Sequence, residues 1–395
     1  MIAAEMTDAR PAVPDVRHVE RLGRAQAMLE RDGVSALLIG VGADLRYLTG
    51  YEAMPLERLT MLVLPARGSP TLVAPRLEAM AAAGSPAARL EAVQVAPWDE
   101  TDDAHGLVAS LLASGTGHQI GVGDRVLVSD RLWAMHVLGL QRTLAGASFG
   151  LASAVLRDLR MTKDAEEIAL LRLAAHAADR VVAQIASGRL VGRTEADVSR
   201  EVRERLLAEG HETAEFAIVA SGPNSASPHH DAGNRVIEAG EPIVLDIGGA
   251  LDGYCSDTTR TLWVTGGDPA RGPSPEFRAL FDVLRTAQAA ATAAVRPGVA
   301  CESIDAAARG IIAAGGYGPN FFHRVGHGIG LETHEDPYMV EGNDEPLRQG
   351  MAFSVEPGIY LAGKYGSRIE DIVICGPDGP DSLNESSRDL WVVPG

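Results

Sequence analysis

The chain has 395 residues, room for two domains at about 100–200 residues each, and apolar residues make up 46% of it, enough for a core in both. The net charge of −18 disfavours the basic footprint that binds nucleic acid or an anionic membrane surface. Three widely spaced cysteines, Cys255, Cys301 and Cys375, exclude a disulfide framework and a thiolate metal site and fit a reducing compartment.

The first residues, MIAAEMTDARPAVPDV, carry Glu5 and Asp8 and no basic, apolar leader; they read as a frayed tail to about Asp15. No run approaches the about 18 apolar residues of a spanning helix, so a cytoplasmic address follows by default. Residues 17–32 carry Val19, Leu22, Ala25, Met28 and Leu29 on one helical face, with Gly33 as the stop. SALLIG (35–40) reads as a buried strand and DLRYLTGY (44–51) as a loop or short helix. LTMLVLP (59–65) and PTLVAP (70–75) read as two strands around a turn. A helix near 76–83, a strand at 91–96, a helix at 103–113, a strand at 119–123 and a helix from Ser129 complete an α/β layer of about 150 residues.

Between 157 and 164 the pattern changes, and the domain boundary is placed there, giving domains 1–160 and 161–395. Asp164 and Glu167 form a capping pair for a long helix. Thr194 caps a helix over 195–209, Ser274-Pro275 opens a third before Arg296-Pro297-Gly298, and a fourth runs over 302–314. Strand-rich stretches lie at 214–220, 242–248, 254–264, 351–360 and 367–374. The order helix, helix, strands therefore occurs twice, as a weak internal duplication.

The chemistry concentrates in this second half. In PIVLDIGGALDGYCSDTTRTLWV two β-rich runs flank a turn at Leu251-Asp252-Gly253, and a regular hairpin would set Asp246 and Asp257 directly opposite each other. Like charges so placed repel and need a shared proton or a cation; an ordinary solvent-facing or turn-capping Asp is the plain alternative. In FSVEPGIYLAGKYGSRIEDIVI, Glu356 and Glu370 are equidistant from Gly363 inside apolar runs, where carboxylates need a partner; Arg368 is the ordinary one. In FHRVGHGIGLETHEDP, Gly326, Gly328 and Gly330 flank His327 and allow close backbone approach and unusual dihedrals. His323 lies four residues before it and His334 seven after.

Four carboxylates and one imidazole suit Mn²⁺, Co²⁺, Fe²⁺ or Zn²⁺. Two such ions about 3.5–4 Å apart would employ all four acids and acidify a bridging water, giving hydroxide at neutral pH. The loop SGPNSASPHHDAGN holds His229 and His230 as candidates for proton transfer, with His334 as another; each is otherwise an ordinary surface histidine.

At LDIGGALDGYCSDTTRT, GHGIG, VEPGIY and SRIED the sequence resembles the pita-bread metallopeptidases, over residues 165–395, and in particular prolidase and aminopeptidase P. DLRYLTGY resembles, more weakly, the N-terminal domain that these share with creatinase and that methionine aminopeptidases lack. The resemblance implies an α+β pita-bread fold behind an α/β creatinase-like domain. It implies Asp246, Asp257, His327, Glu356 and Glu370 as ligands of two divalent metals, Mn²⁺ first, with Asp246 and Glu370 bridging and Glu356 as general base. It implies His229 and His334 as catalytic histidines and His323 and Arg368 as substrate-pocket residues. The activity it implies is hydrolysis of Xaa-Pro bonds in short peptides by a homodimer, as an Xaa-Pro dipeptidase or else an aminopeptidase P. Non-peptide amide or amidine hydrolysis is the enzymatic alternative. A non-catalytic binding protein is the alternative of another class, which the intact ligand set opposes.

Overall fold

The computed structural model describes residues 11–395, which divide into two compact units, residues 13–160, and residues 161–395 together with 11–12. The tail expected to about Asp15 lies, for residues 1–10, outside the described residues.

The first unit is built on a six-stranded sheet. Its elements are α1 (Asp15–Arg31), β1 (Ala36–Gly40), α2 (Ala43–Thr49), β2 (Met61–Pro65), β3 (Thr71–Pro75), α3 (Ala79–Ala83), α4 (Pro86–Arg89), β4 (Gln94–Trp98), α5 (Ala104–Thr116), β5 (Arg125–Val128), α6 (Ala134–Thr143), β6 (Ser148–Leu151) and α7 (Ser153–Met161). The strand order is β4-β3-β2-β1-β5-β6. Every residue of β1, β2 and β3 is buried, which explains their unbroken apolar runs. The strand expected at 119–123 is a turn instead. Gly121 N–H donates to Asp124, Gly123 takes φ +95°, and Val122 is 93% exposed, so the strand starts only at Arg125. Alternating Ile120 and Val122 imitates a strand period where Gly and Asp set turn chemistry. The short β6 and the helix α7 carry no signal that the pattern reading detected.

The second unit repeats one arrangement. α8 (Ala165–Ser187), α9 (Glu195–Ala208), β7 (Thr213–Ser221), β8 (Glu241–Leu251) and β9 (Tyr254–Val264) are followed by α10 (Pro275–Ala294), α11 (Cys301–Ala314), β10 (Gly326–Gly328), β11 (Glu335–Met339), β12 (Ala352–Val355), β13 (Gly358–Leu361), β14 (Tyr365–Arg368), β15 (Asp371–Cys375), β16 (Pro380–Ser382) and β17 (Trp391–Val393). Asp164 caps α8 in a full capping box with Glu167, and Thr194 and Ser274 cap α9 and α10 through their hydroxyls. The strands form sheets ordered β17-β9-β8-β7 and β11-β10-β12-β15-β16, with β13-β14 as a separate ribbon. Helices α8 and α9 bury Val182, Ile185, Val202 and Leu206 against the first sheet. Helices α10 and α11 bury Phe277, Leu284 and Ile304 against Phe353, Val355 and Val373 of the second. An isolated bridge, Thr259 to Glu370, links the two sheets. No helix among the described residues is long and apolar enough to cross a membrane.

Candidate metal centre

The β8–β9 hairpin supplies two aspartates, one step out of the expected register. Asp252 (φ +48°) and Gly253 (φ +81°) form the turn by themselves, so Leu251 closes on Tyr254. Two successive left-handed residues are what a two-residue Asp-Gly hairpin requires. Asp246 therefore faces Thr259, and Asp257 faces Gly248. The two carboxylates are diagonal neighbours on one face rather than direct opposites. Both are buried.

Glu356 and Glu370 come from a ladder that breaks between them. Val355 pairs with Asp371 and Gly358 with Arg368 in one common register, which sets Glu356 across from Glu370. Pro357 has no N–H to continue the ladder, and both glutamate backbones turn elsewhere. Glu356 N–H donates to Val325 O at 2.7 Å and Glu370 N–H to Thr259 O at 3.1 Å.

His327 reaches the same point from β10. A Cβ on Gly326 would stand 1.9 Å from Ser354 O, and one on Gly328 2.1 Å from Asp336 O, so only glycine admits these neighbours. Neither they nor Gly330 has a positive φ; their value is space, and the unusual dihedrals expected there do not occur. The β10–β11 ladder slips between His327 and Gly328, as bulged strands do where a side chain is re-aimed. His327 Nδ1 donates to Gly328 O at 3.1 Å. That leaves Nε2 as the free lone pair, 3.2 Å from Glu356 Oε1 and 3.6 Å from Asp257 Oδ2.

Three overlapping groups have ligand atoms within 4.8 Å of one another: Asp246, Asp257 and Glu370; His327, Glu356 and Glu370; Asp257, His327 and His334. Burial, then mutual repulsion, pushes Asp257 and Glu370 well above the usual carboxylate range, and burial raises Asp246. Burial also opposes ionisation of Glu356, but its neighbours His327, His323 and Arg368 prevail and hold it at about 2. One guanidinium, Arg368, faces these four acids. Asp246 Oδ1 is buried with no hydrogen-bond partner. An orphaned carboxylate oxygen in a buried acid cluster calls for a cation, and an oxygen-rich set with one imidazole nitrogen fits divalent metals. The residues present therefore fit a metal centre.

The other expected site residues divide sharply. Arg368 is buried, and all five of its N–H groups have protein acceptors: Nε on Thr259 Oγ1, Nη1 on Tyr360 OH and Pro228 O, Nη2 on Pro228 O and Asp246 Oδ2. Its expected role in a substrate pocket would require breaking one of these bonds. His323 is similarly engaged: Nδ1 donates to Arg324 O at 2.7 Å, and Nε2 accepts from Tyr360 OH at 3.0 Å. Tyr360 thus relays Arg368 to His323, and burial lifts its hydroxyl to about 12. The sequence reading missed Tyr360, although a buried tyrosine hydroxyl inside VEPGIY needs a partner. It also missed Glu195, fully buried, which accepts from Ser221 N–H and Oγ, from Asn224 and from His230. His230 is thereby held to Glu195 at one ring nitrogen; it and its exposed neighbour His229 both line a cleft of about 930 Å³ that also reaches Asp246, Asp257, His327, His334, Glu356 and Glu370. His334 packs its ring 4.0 Å from that of His327. Burial, then His327 and Arg324, lowers it to about 4, so it is neutral near pH 7.

Residues 169–377 match the model of metallopeptidase family M24, and residues 21–162 match the creatinase/prolidase N-terminal domain. The chain is 46% identical to the probable dipeptidase PepE of Mycobacterium tuberculosis over 95% of this chain and 97% of that protein. It superimposes on the dipeptidase PepE of Mycobacterium ulcerans with a TM-score of 0.89 at 45% identity, over 97% of this chain and 100% of that one. With a prolidase of Thermococcus sibiricus the TM-score is 0.86 at 34% identity, over the same shares of the two chains. Two sheets flanked by helix pairs, five convergent metal-type donors and full-length similarity agree: behind a creatinase-like N-terminal domain stands a pita-bread fold, and the chain belongs to metallopeptidase family M24.

Proposed function

We propose that this chain hydrolyses Xaa-Pro dipeptides with two divalent metals, Mn²⁺ first, held by Asp246, Asp257, His327, Glu356 and Glu370. The observation that carries it is the orphaned Asp246 Oδ1 within a cluster of four carboxylates and one imidazole lone pair. Full-length similarity to proteins named dipeptidase and prolidase supports the substrate class. When bound, the metal pair supplies a polarised carbonyl and an acidified water.

The chain's own residues do the rest. Glu356, ionised at any working pH and the least buried of the four acids, accepts the proton of the attacking water and returns it to the proline nitrogen. His334, neutral, donates an N–H to the carbonyl oxygen as charge develops there, and His229 offers a second donor from the loop opposite. Arg368 opposes the effect of burial on Asp246 and ties the Pro228 carbonyl, so the His229 loop and the ligand face are positioned together. None of these steps uses an amide hydrogen on the scissile bond, which an Xaa-Pro bond lacks.

The test is hydrolysis of Ala-Pro beside Ala-Pro-Ala by metal-stripped enzyme, with and without Mn²⁺, together with the metal content of Asp257→Asn. Cleavage of Ala-Pro alone, and only with metal, is expected, with fewer ions bound by the variant. Preference for the tripeptide would make the enzyme an aminopeptidase. Unchanged occupancy in Asp257→Asn would sink the ligand assignment.

A further inference from the structure

Two guanidinium groups line the cleft, Arg324 and Arg368. Arg368 has every donor engaged within the protein. Arg324 differs: among the described residues no hydrogen bond or ion pair holds its side chain. Its guanidinium carbon lies 4.3 Å from the centre of the Tyr338 ring. A guanidinium held over an aromatic ring by its charge, and not by hydrogen bonds, keeps its N–H groups available to a ligand.

The position is fixed from several sides. Tyr338 stands opposite His327 in the β10–β11 ladder, so the free guanidinium sits over a neighbour of the metal-facing imidazole. It is near enough to His334 to act on it. The backbone around it is pinned: Arg324 O accepts from His323, His323 O from Arg309 Nη2 at 2.8 Å, and Val325 N–H donates to Asp305 at 3.0 Å. Two residues before, Phe322 lines the same cleft and is 63% exposed, with its ring 5.5 Å from that of Tyr360. An open aromatic face and an unpaired guanidinium therefore share one short, anchored segment beside the metal centre.

We infer that Arg324 receives the C-terminal carboxylate of the substrate while Phe322 supports the pyrrolidine ring, so that this pair sets the preference for a dipeptide. The inference rests on the Xaa-Pro reading above and deepens it. A guanidinium edge matches a carboxylate with two parallel hydrogen bonds. A longer peptide would place a neutral peptide group at the same point and leave the cation unpaired. Because the segment is held before ligand arrives, little ordering is needed on binding. The length limit is thus written as a charge at a fixed place in the cleft.

The experiment uses the full-length enzyme loaded with Mn²⁺ and compares Ala-Pro with Ala-Pro-amide, which differ by the terminal charge. The wild type is expected to favour the acid. Arg324→Ala should raise KM for Ala-Pro on the order of 10- to 100-fold with kcat changed far less, and the acid-over-amide ratio of kcat/KM should collapse toward one. Arg324→Lys should restore part of that ratio. Metal content and circular dichroism check that the variants fold and load. A wild-type enzyme that cleaves Ala-Pro but keeps its acid-over-amide ratio in Arg324→Ala would overturn the inference alone. A metal-loaded wild type that cleaves neither substrate would overturn the Xaa-Pro reading, and this inference with it.

Discussion

Strands β2 and β9 are both buried along their whole length, yet they are made of different material. β2, in the N-terminal unit, is MLVLP. β9, in the catalytic unit, is YCSDTTRTLWV. Full burial of aliphatic side chains favours folding at about 25 cal/mol per Å² of apolar area. Burial of Asp257, Thr258, Thr259, Arg260 and Thr261 does so only if each polar group is matched. Much of that matching is internal. Arg260 bonds Asp371 at 2.7 Å and the carbonyls of Thr259, Glu370, Ser386 and Ser387. Thr259 donates to Glu370 at 2.7 Å while accepting from Arg368. Across the hairpin, in β8, the carboxylate oxygen Asp246 Oδ1 is left unmatched. A strand that is buried and polar marks the place where something other than protein completes the structure.

The widest gap between the two regions should open at Glu356. Glu356→Gln keeps the shape and removes the base, so kcat should fall about 10²- to 10⁴-fold with little change in the thermal transition. Steady-state kinetics beside calorimetry measures both; a variant with near-normal kcat would move the base elsewhere. The next effect concerns pH. Asp246, Asp257 and Glu370 have raised values in the metal-free fold. They bind protons that the unfolded chain, titrating near about 4, has released. Their contribution to stability is therefore present at low pH and is lost as pH rises from that range through their folded values. Glu356, at about 2, works the other way but only in strong acid. Metal binding requires all four ionised, so it reverses the trend. From pH 5 to pH 8 the difference in melting temperature between metal-loaded and metal-stripped protein should widen, reaching on the order of 10 °C at metal concentrations far above Kd. Parallel curves would show that the carboxylates do not carry the coupling.

The family and the fold were legible because both rest on local pattern. The run LDIGGALDGYCSDTTRT announces a hairpin with misplaced acids, and VEPGIY with SRIED announces a second such pair. Spacing alone picked out the five residues that the structure brings together. Finer placement was out of reach for physical reasons. The Asp246–Asp257 register depends on where the turn falls: a two-residue turn at Leu251-Asp252 would set them opposite, and the backbone dihedrals of Asp252 and Gly253 put it one residue later. Residues 119–123 alternate like a strand, but the Asp124 carboxylate holds them in a turn. Arg368 reads as a cation available to substrate, and only its four acceptors, drawn from four separate chain segments, show it committed. Arg324 gives no signal in sequence at all. Its freedom is an absence of partners, visible only once the neighbours are placed.

The contrast between β2 and β9 is sharpest in a matched pair of buried truncations. Leu62→Ala removes aliphatic volume from a fully buried site in β2 and should cost about 2–5 kcal/mol of stability, seen as a lower melting temperature for the N-terminal unit. Metal content, and kcat per folded molecule below that transition, should not move, because no donor or acceptor of the centre is touched. Thr259→Val removes one hydroxyl at nearly constant volume, leaving Glu370 Oε2 and Arg368 Nε each short of a partner. Loss of such a supporting bond lowers metal affinity about 10- to 100-fold. Metal titration of the two variants side by side decides the matter. If Leu62→Ala weakens metal binding as much as Thr259→Val does, residues 13–160 contribute to the centre as well. If Thr259→Val binds metal normally, the Glu370 carboxylate is held by the metals rather than by β9, and the polar composition of that strand needs another cause.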